Sequence, residues 1–299
     1  MSDTSSENRA TVEPKKINPQ LENLKDMWQK MRQNKLAMAG LILIIFFMIT
    51  SVVGPFMTSM DPTSTDVQSR NIPPNADFWF GTDHQGRDIF TRIIHGMWIT
   101  LAIGFSSVIM GMIVGVLIGI TAGYYGKKID AVLMRIMDVF LAFPGILLAL
   151  GIVAVLGGSI VNVVIAIAIF SIPVFARIVR GSTLAVKKLE YIDAIRALGA
   201  SDSRIIFRHI LPNILSPIIV QATLFIATAV LTASGLSFLG LGAQPPMPEW
   251  GAMLAGGRNY MWDYPHMALF PGLAIVSIVL AFNLLGDGLR DALDPKIKS

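Results

Sequence analysis

The sequence predicts an all-α polytopic membrane protein with six transmembrane helices. Hydrophobic residues make up 53% of the chain and charged residues only 15%, against about 25% charged in a soluble domain. A membrane span needs about 20 mostly apolar residues. Six runs reach or approach that length: 36–57, 98–122, 132–156, 160–176, 214–239 and 267–285. The third observation is where the charges sit. If both termini lie inside, the outer segments hold only Arg70, Arg87, Arg92 and Arg258, leaving 20 of the 24 basic residues on the inner side. Inner segments attract Lys and Arg, so the distribution orients the chain without further information.

The elements follow in order. Residues 1–35 form a polar tail ahead of the first apolar run; a signal peptide would place its apolar core nearer the start, so the first run is expected to be a retained span. Residues 36–97 comprise that span and a long outer segment. The turn-rich stretch 81–88 ends in Asp88, a suitable N-cap for the helix that follows. Within the second span, Gly111, Gly115, Gly119 and Gly123 recur every four residues, a pattern for close helix packing rather than pore lining. In the third span Arg135 and Asp138 are spaced to pair on one helix face. The fourth span is the shortest and carries Pro173. The fifth places Gln221, Thr228 and Thr232 near one face, suited either to a hydrophilic path or to helix–helix hydrogen bonds. A second outer segment, 240–266, contains the stiff run Gln244-Pro245-Pro246-Met247-Pro248. Residues 98–289 thus form one membrane core, followed by a tail at 290–299.

The segment 177–213 differs from everything around it. It is polar and helix-forming, set between two long apolar runs. Residues 185–198 are expected to be one helix, with Tyr191, Ala194, Ile195 and Leu198 recurring as an apolar stripe. Gly199 suits a left-handed helix stop. Ser201 can cap a second short helix, with Asp202 in its first turn, and Pro212 is placed to open the fifth span. A helix, tight turn and helix would expose one apolar knob. The plainer alternative is an amphipathic helix lying on the membrane surface.

Chemistry is scarce elsewhere. There are no cysteines and four scattered histidines, with no HExxH and no expected metal site. The chain lacks the GxxxxGK[ST] phosphate loop, a G-x-S-x-G elbow and paired catalytic carboxylates, so it is not expected to be an enzyme. A gradient-driven transporter would carry carboxylates near mid-membrane, and the spans hold almost none.

The elbow resembles the "EAA" loop of ABC-importer membrane subunits: Asp193-Ala194-Ile195, three residues, Gly199, eleven residues, Leu211-Pro212. Asp193 stands for the pattern's Glu, Ile195 for its second Ala, and His209 where Ile is usual. Beyond the loop, NKLAMAG (34–40), FGTDHQGRDIFTR (80–92), AGYYGKKIDAVLMRIMDVFLAFP (122–144), LSFLGLGAQPP (236–246), PEWGAML (248–254) and FNLLGDGLRDALDPK (282–296) resemble the C-type permease of dipeptide and oligopeptide ABC importers. The middle of the chain is also similar to glutathione-importer permeases. The resemblance implies a type I ABC-importer permease fold in a bacterial or archaeal cell membrane, with cytoplasmic termini. It implies a second homologous permease, two ATP-binding subunits that hold ATP and Mg, an extracytoplasmic solute-binding protein and the lipid bilayer as partners, and no nucleic acid. It also implies that the chain carries no cofactor of its own. Glu190, Tyr191, Asp193, Ala194, Ile195, Gly199, Ala200, Leu211 and Pro212 would contact the ATPase. Asp83, Arg87 and Asp88 are expected to fold the first outer loop towards the binding protein. The cargo would be a short peptide; glutathione and nickel chelates are the alternatives within the family.

Overall fold

A computed structural model describes residues 27–293. Most of the expected N-terminal tail and the end of the C-terminal tail lie outside the described residues. After a helical lead-in at 27–33, the chain forms α1 (Lys35–Met57), α2 (Ile89–Tyr125), α3 (Lys127–Leu141), α4 (Gly145–Leu156), α5 (Ile160–Lys187), α6 (Glu190–Ala197), α7 (Asp202–Ile205), α8 (Leu211–Phe238), α9 (Trp250–Gly257) and α10 (His266–Leu293). Among the described residues the only β-pairing is an isolated bridge between Thr82 and Asp88. Five helices are long and apolar enough to cross a membrane, or six if α3 and α4 form one bent span.

The packing axis of the molecule is α2 against α5. The 37-residue α2 rises about 1.5 Å per residue, so it exceeds the hydrocarbon thickness and reaches from one end of the bundle to the other. Its glycine ladder faces α5 of the same chain. A Cβ on Gly115 would lie 2.6 Å from Phe175 Cβ, one on Gly119 2.5 Å from the Ala176 carbonyl, and one on Gly123 2.8 Å from Thr183 Cβ. Gly111 lies against Ser171 in the same way. With no hydrophobic drive between helices in lipid, this close fit is what favours their association. The ladder is therefore a packing seam, and its neighbour is in this chain.

Three expectations about the helices need correction. The third span is not one straight helix: α3 and α4 meet at 85° across a short break. Pro144 explains it, because it lacks an N–H and disfavours helical geometry at Phe143. Arg135 does not pair with Asp138. Asp138 instead meets Arg177 at 2.8 Å, and Asp130 takes a two-pronged bond from Arg180 at 2.5 and 2.6 Å. Both pairs tie α3 across to α5, a partner that local spacing could not reveal. Thirdly, the helix expected over 185–198 is interrupted at 188–189, where α5 stops and α6 begins. Pro212 stands at the start of α8, as expected, but α8 continues an earlier helical run. Residues 202–238 run as one helix through a π turn, Ile206–Ile210, in which Leu211 N–H donates to the Ile206 carbonyl. A widened turn just before a proline gives its ring room against the preceding turn.

Candidate functional site

Two ends of the bundle carry the residues singled out from the sequence. At the first end, α6 and α7 form an elbow between α5 and α8. Gly199 has φ +81°, the left-handed geometry that glycine adopts freely. Ala200 N–H donates to the Ile195 carbonyl at 3.3 Å and Gly199 N–H to the Arg196 carbonyl at 3.0 Å, the paired bonds of a Schellman stop. Ser201 Oγ then accepts from Arg204 N–H and starts α7. Helix, left-handed turn and capped helix stand as the sequence indicates.

The elbow has an inner and an outer face. Ile192, Ile205 and Ile210 are fully buried and pack with Ile120, Val179 and Ile214 in a separate apolar cluster. Tyr124 at the end of α2 donates through its hydroxyl to Asp202 at 2.6 Å, and Lys187 Nζ donates to the Tyr124 carbonyl. Arg196 lies over the Tyr124 ring and pairs with Asp193 at 3.0 Å. These contacts seat the elbow on α2. Facing away, Glu190, Tyr191, Asp193 and Ala194 are exposed, Ile195 and Ala200 half-buried, and Leu198 is 87% exposed. Leu198, Ala200, Arg204, Arg208 and His209 line a surface hollow of 290 Å³ beside this knob. Leu211 and Pro212 are half-buried where the elbow passes into α8. The sequence stripe missed Ile192, the residue that anchors the elbow, because its burial depends on a cluster assembled from α2, α5 and α8.

At the opposite end the two long connections, 58–88 and 239–265, fold onto each other. Asp83, Arg87 and Asp88 are brought together, but inside the structure. Arg87 is 7% exposed and Asp88 9%. Asp83 accepts from the Arg87 Nε at 2.7 Å and from the Gln85 and Arg87 backbone N–H groups. Asp88 caps α2 by accepting from Thr91 N–H. The residue missed by the sequence reading is Arg92, whose Nη1 donates to the carbonyls of Pro62 at 2.6 Å and Pro246 at 3.3 Å. One guanidinium thus pins both connections to α2. Trp250 donates to the Ile93 carbonyl, His266 meets the Thr82 carbonyl, and the buried Glu249 caps α9. Burial holds the His84 imidazole below its ordinary pKa and raises the Glu249 carboxyl above its own. A signal for Arg92 did exist: it is one of only four basic residues on the side that positive charge otherwise avoids.

The candidate path residues separate. Gln221 is half-buried and opens, with Ser216 and Arg290, into a 520 Å³ groove between α5, α8 and α10. Thr228 is exposed, whereas Thr232 is packed inside the bundle.

Known proteins share this architecture. Residues 115–299 match the family described as binding-protein-dependent transport system inner membrane component, and residues 23–74 match the N-terminal TM domain of oligopeptide transport permease C. A dipeptide transport system permease protein of Alkalihalophilus pseudofirmus is 50% identical over 92% of this chain and 90% of its own length. A glutathione transport system permease protein of Pectobacterium atrosepticum is 51% identical over 92% of each chain. An inward-facing structure of the MetNI methionine ABC transporter superposes with a TM-score of 0.55 at 21% identity, over 68% of this chain and 97% of that one. That last likeness concerns the fold.

Proposed function

We propose, for a chain that belongs to the binding-protein-dependent transport system inner membrane components and is a permease subunit of an ABC importer, that its cargo is a short peptide and that the elbow is its coupling element. A second, homologous permease would complete the pathway, and two ATP-binding subunits would drive it. The elbow end then faces the cytoplasm, together with both termini. The opposite end faces outward and receives cargo from a solute-binding protein.

The observation that carries the coupling assignment is the two-faced elbow. Ile192 and Ile205 lock it to the bundle, while Tyr191, Ala194 and Leu198 stand out from it. An exposed apolar knob on a rigid mount suits a socket on the ATPase, and a moving socket would turn the elbow and, through it, α5 and α8. Glu190 is exposed to meet a basic group on that partner, and Asp193, though paired with Arg196, keeps an exposed carboxylate beside it. Asp83, Arg87 and Asp88 would act at the other end by holding the outer connections in the shape that the binding protein meets. Gln221 and Thr228 are the stronger path candidates, since both have open surface; Thr232 lies inside.

Similarity to a dipeptide permease favours peptides, and the equal similarity to a glutathione permease favours glutathione, itself a tripeptide, as the second reading. The test is reconstitution with the partner subunits. A cysteine at Leu198 should cross-link to the ATPase, and uptake of labelled dipeptide should be competed by other dipeptides more strongly than by glutathione. Absence of any cross-link at Leu198 with uptake intact would reject the elbow assignment. Orientation is tested separately: cysteines at Thr65 and Trp262 should react with an impermeant reagent in intact cells, and one at Ser203 should not.

A further inference from the structure

The end of the bundle opposite the elbow encloses a cavity of 320 Å³ between the 83–92 segment and α9. That is within the size range of small-ligand sites. Its charged lining is unbalanced: Arg87 and Arg92 face a single carboxylate, Asp83. Both arginine side chains are deeply buried, 7% and 4% exposed. Arg87 uses its Nε on Asp83, and Arg92 uses Nη1 on two carbonyls. The Arg92 Nε is 3.8 Å from Asp83 and has no hydrogen-bond partner. The Nδ1 of His84, in the same wall, has none either. Buried donors left without an acceptor are costly, and charged ones most of all.

The rest of the wall is apolar and adaptable. Met247, Met253 and Met267 line it, with small residues between them. Methionine is flexible and polarisable, and suits surfaces that accept side chains of varied shape. An inorganic anion would use the arginines but not this lining. A folded partner would not enter a space of this size.

We propose that this cavity is a binding site for the free C-terminal carboxylate of a short peptide. Arg92 and Arg87 take the carboxylate, and the three methionines accommodate the neighbouring side chain. The site rests on the peptide-importer reading above and deepens it: it gives the permease its own contact with cargo, before the path through the membrane.

The experiment uses the assembled importer in lipid nanodiscs without its binding protein. The probes are a dipeptide with a diazirine on its first side chain and a free C-terminus, its C-terminal amide twin, and inorganic phosphate as competitor. The free acid should label residues 240–257 and Met267, mapped by mass spectrometry. The amide should label them about tenfold less or weaker still, because a charge-assisted contact is lost. Phosphate should compete only weakly. Met253→Trp, which fills the cavity, should abolish labelling, and Met253→Leu should retain it. Equal labelling by acid and amide, or adducts only elsewhere in the chain, overturns the proposal, and both readouts come from the unmodified protein. Phosphate competing as well as the free acid reassigns the cavity to inorganic anions and likewise overturns it. Uptake of the same dipeptide by the complete importer is measured alongside. Uptake without labelling sinks this site alone, whereas carboxylate-dependent labelling without uptake of any peptide sinks the transport reading and leaves the site standing.

Discussion

The two ends of the bundle are built on opposite principles. The elbow is shaped by neighbours in sequence: the Gly199 stop spans residues 195–200, and the Ser201 cap reaches only to Arg204. The opposite end is shaped by residues far apart in the chain. Arg92 bonds to Pro62 and Pro246, Trp250 to Ile93, and His266 to Thr82. The elbow also leaves Leu198 87% exposed, while the other end buries Arg87, Asp88, Arg92 and Glu249. A segment whose shape is secured locally can leave its outer face free for a partner. A segment held by distant contacts spends its side chains on its own structure and presents a surface only as an assembled unit.

If that contrast is right, breaking the long-range end has the largest effect. Arg92→Met should lower stability by about 3–5 kcal/mol, the usual cost of opening a buried charge network. Two connections lose their shared anchor and Asp83 loses a neighbour. Thermal unfolding in detergent measures it; a change below about 1 kcal/mol would show that this end behaves like a surface.

Gly199→Val comes next and separates the two ends. A β-branched residue at φ +81° costs roughly 1–2 kcal/mol in backbone strain. The left-handed turn is exposed and a Cβ there meets nothing within 4 Å, so the expected damage is misdirection of the knob rather than unfolding. Stimulation of the ATPase by the loaded binding protein should be lost, with insertion and permease pairing retained. Normal stimulation would remove the elbow from the mechanism.

Ser201→Ala removes one cap bond and should cost about 1 kcal/mol, seen as faster hydrogen exchange confined to α7. Protection lost at both ends together would erase the distinction between local and long-range construction.

The smallest effect is a pH dependence expected of one end alone. Burial raises the Glu249 carboxyl above its ordinary 4.5. Between 4.5 and the raised value the folded protein keeps a proton that the unfolded chain has released. Stability therefore falls as pH rises through that window. Glu249→Gln should flatten this part of the melting-temperature profile. An unchanged slope would mean that Glu249 is not its source.

How far the sequence could be read follows the same divide. Five of the six spans, the Gly199 stop, the Ser201 and Asp88 caps and the glycine seam were legible, because each depends on residues within about one helical turn or on a repeating face. The bend between α3 and α4 was signalled by Pro144 but hidden inside an apolar run long enough for one span. Arg135 looked paired because spacing reveals only partners on the same helix; Asp138 chose Arg177, on α5. Asp83, Arg87 and Asp88 were recognised as a group, yet nothing local indicated that they would be buried.

By itself, then, the sequence determined the class of the molecule, five of its long apolar helices and the internal form of its elbow. Apolar length, helix periodicity and capping are properties of short stretches of chain. The tertiary structure alone decided which helix the glycine ladder would meet, that Ile192 would be the elbow's anchor, and that Arg92 would pin two connections and line a cavity with Arg87. Those outcomes depend on which distant groups are brought within hydrogen-bond reach and cut off from water. Desolvation turns a common arginine into a structural pin with donors to spare, and it acts only once the helices have packed.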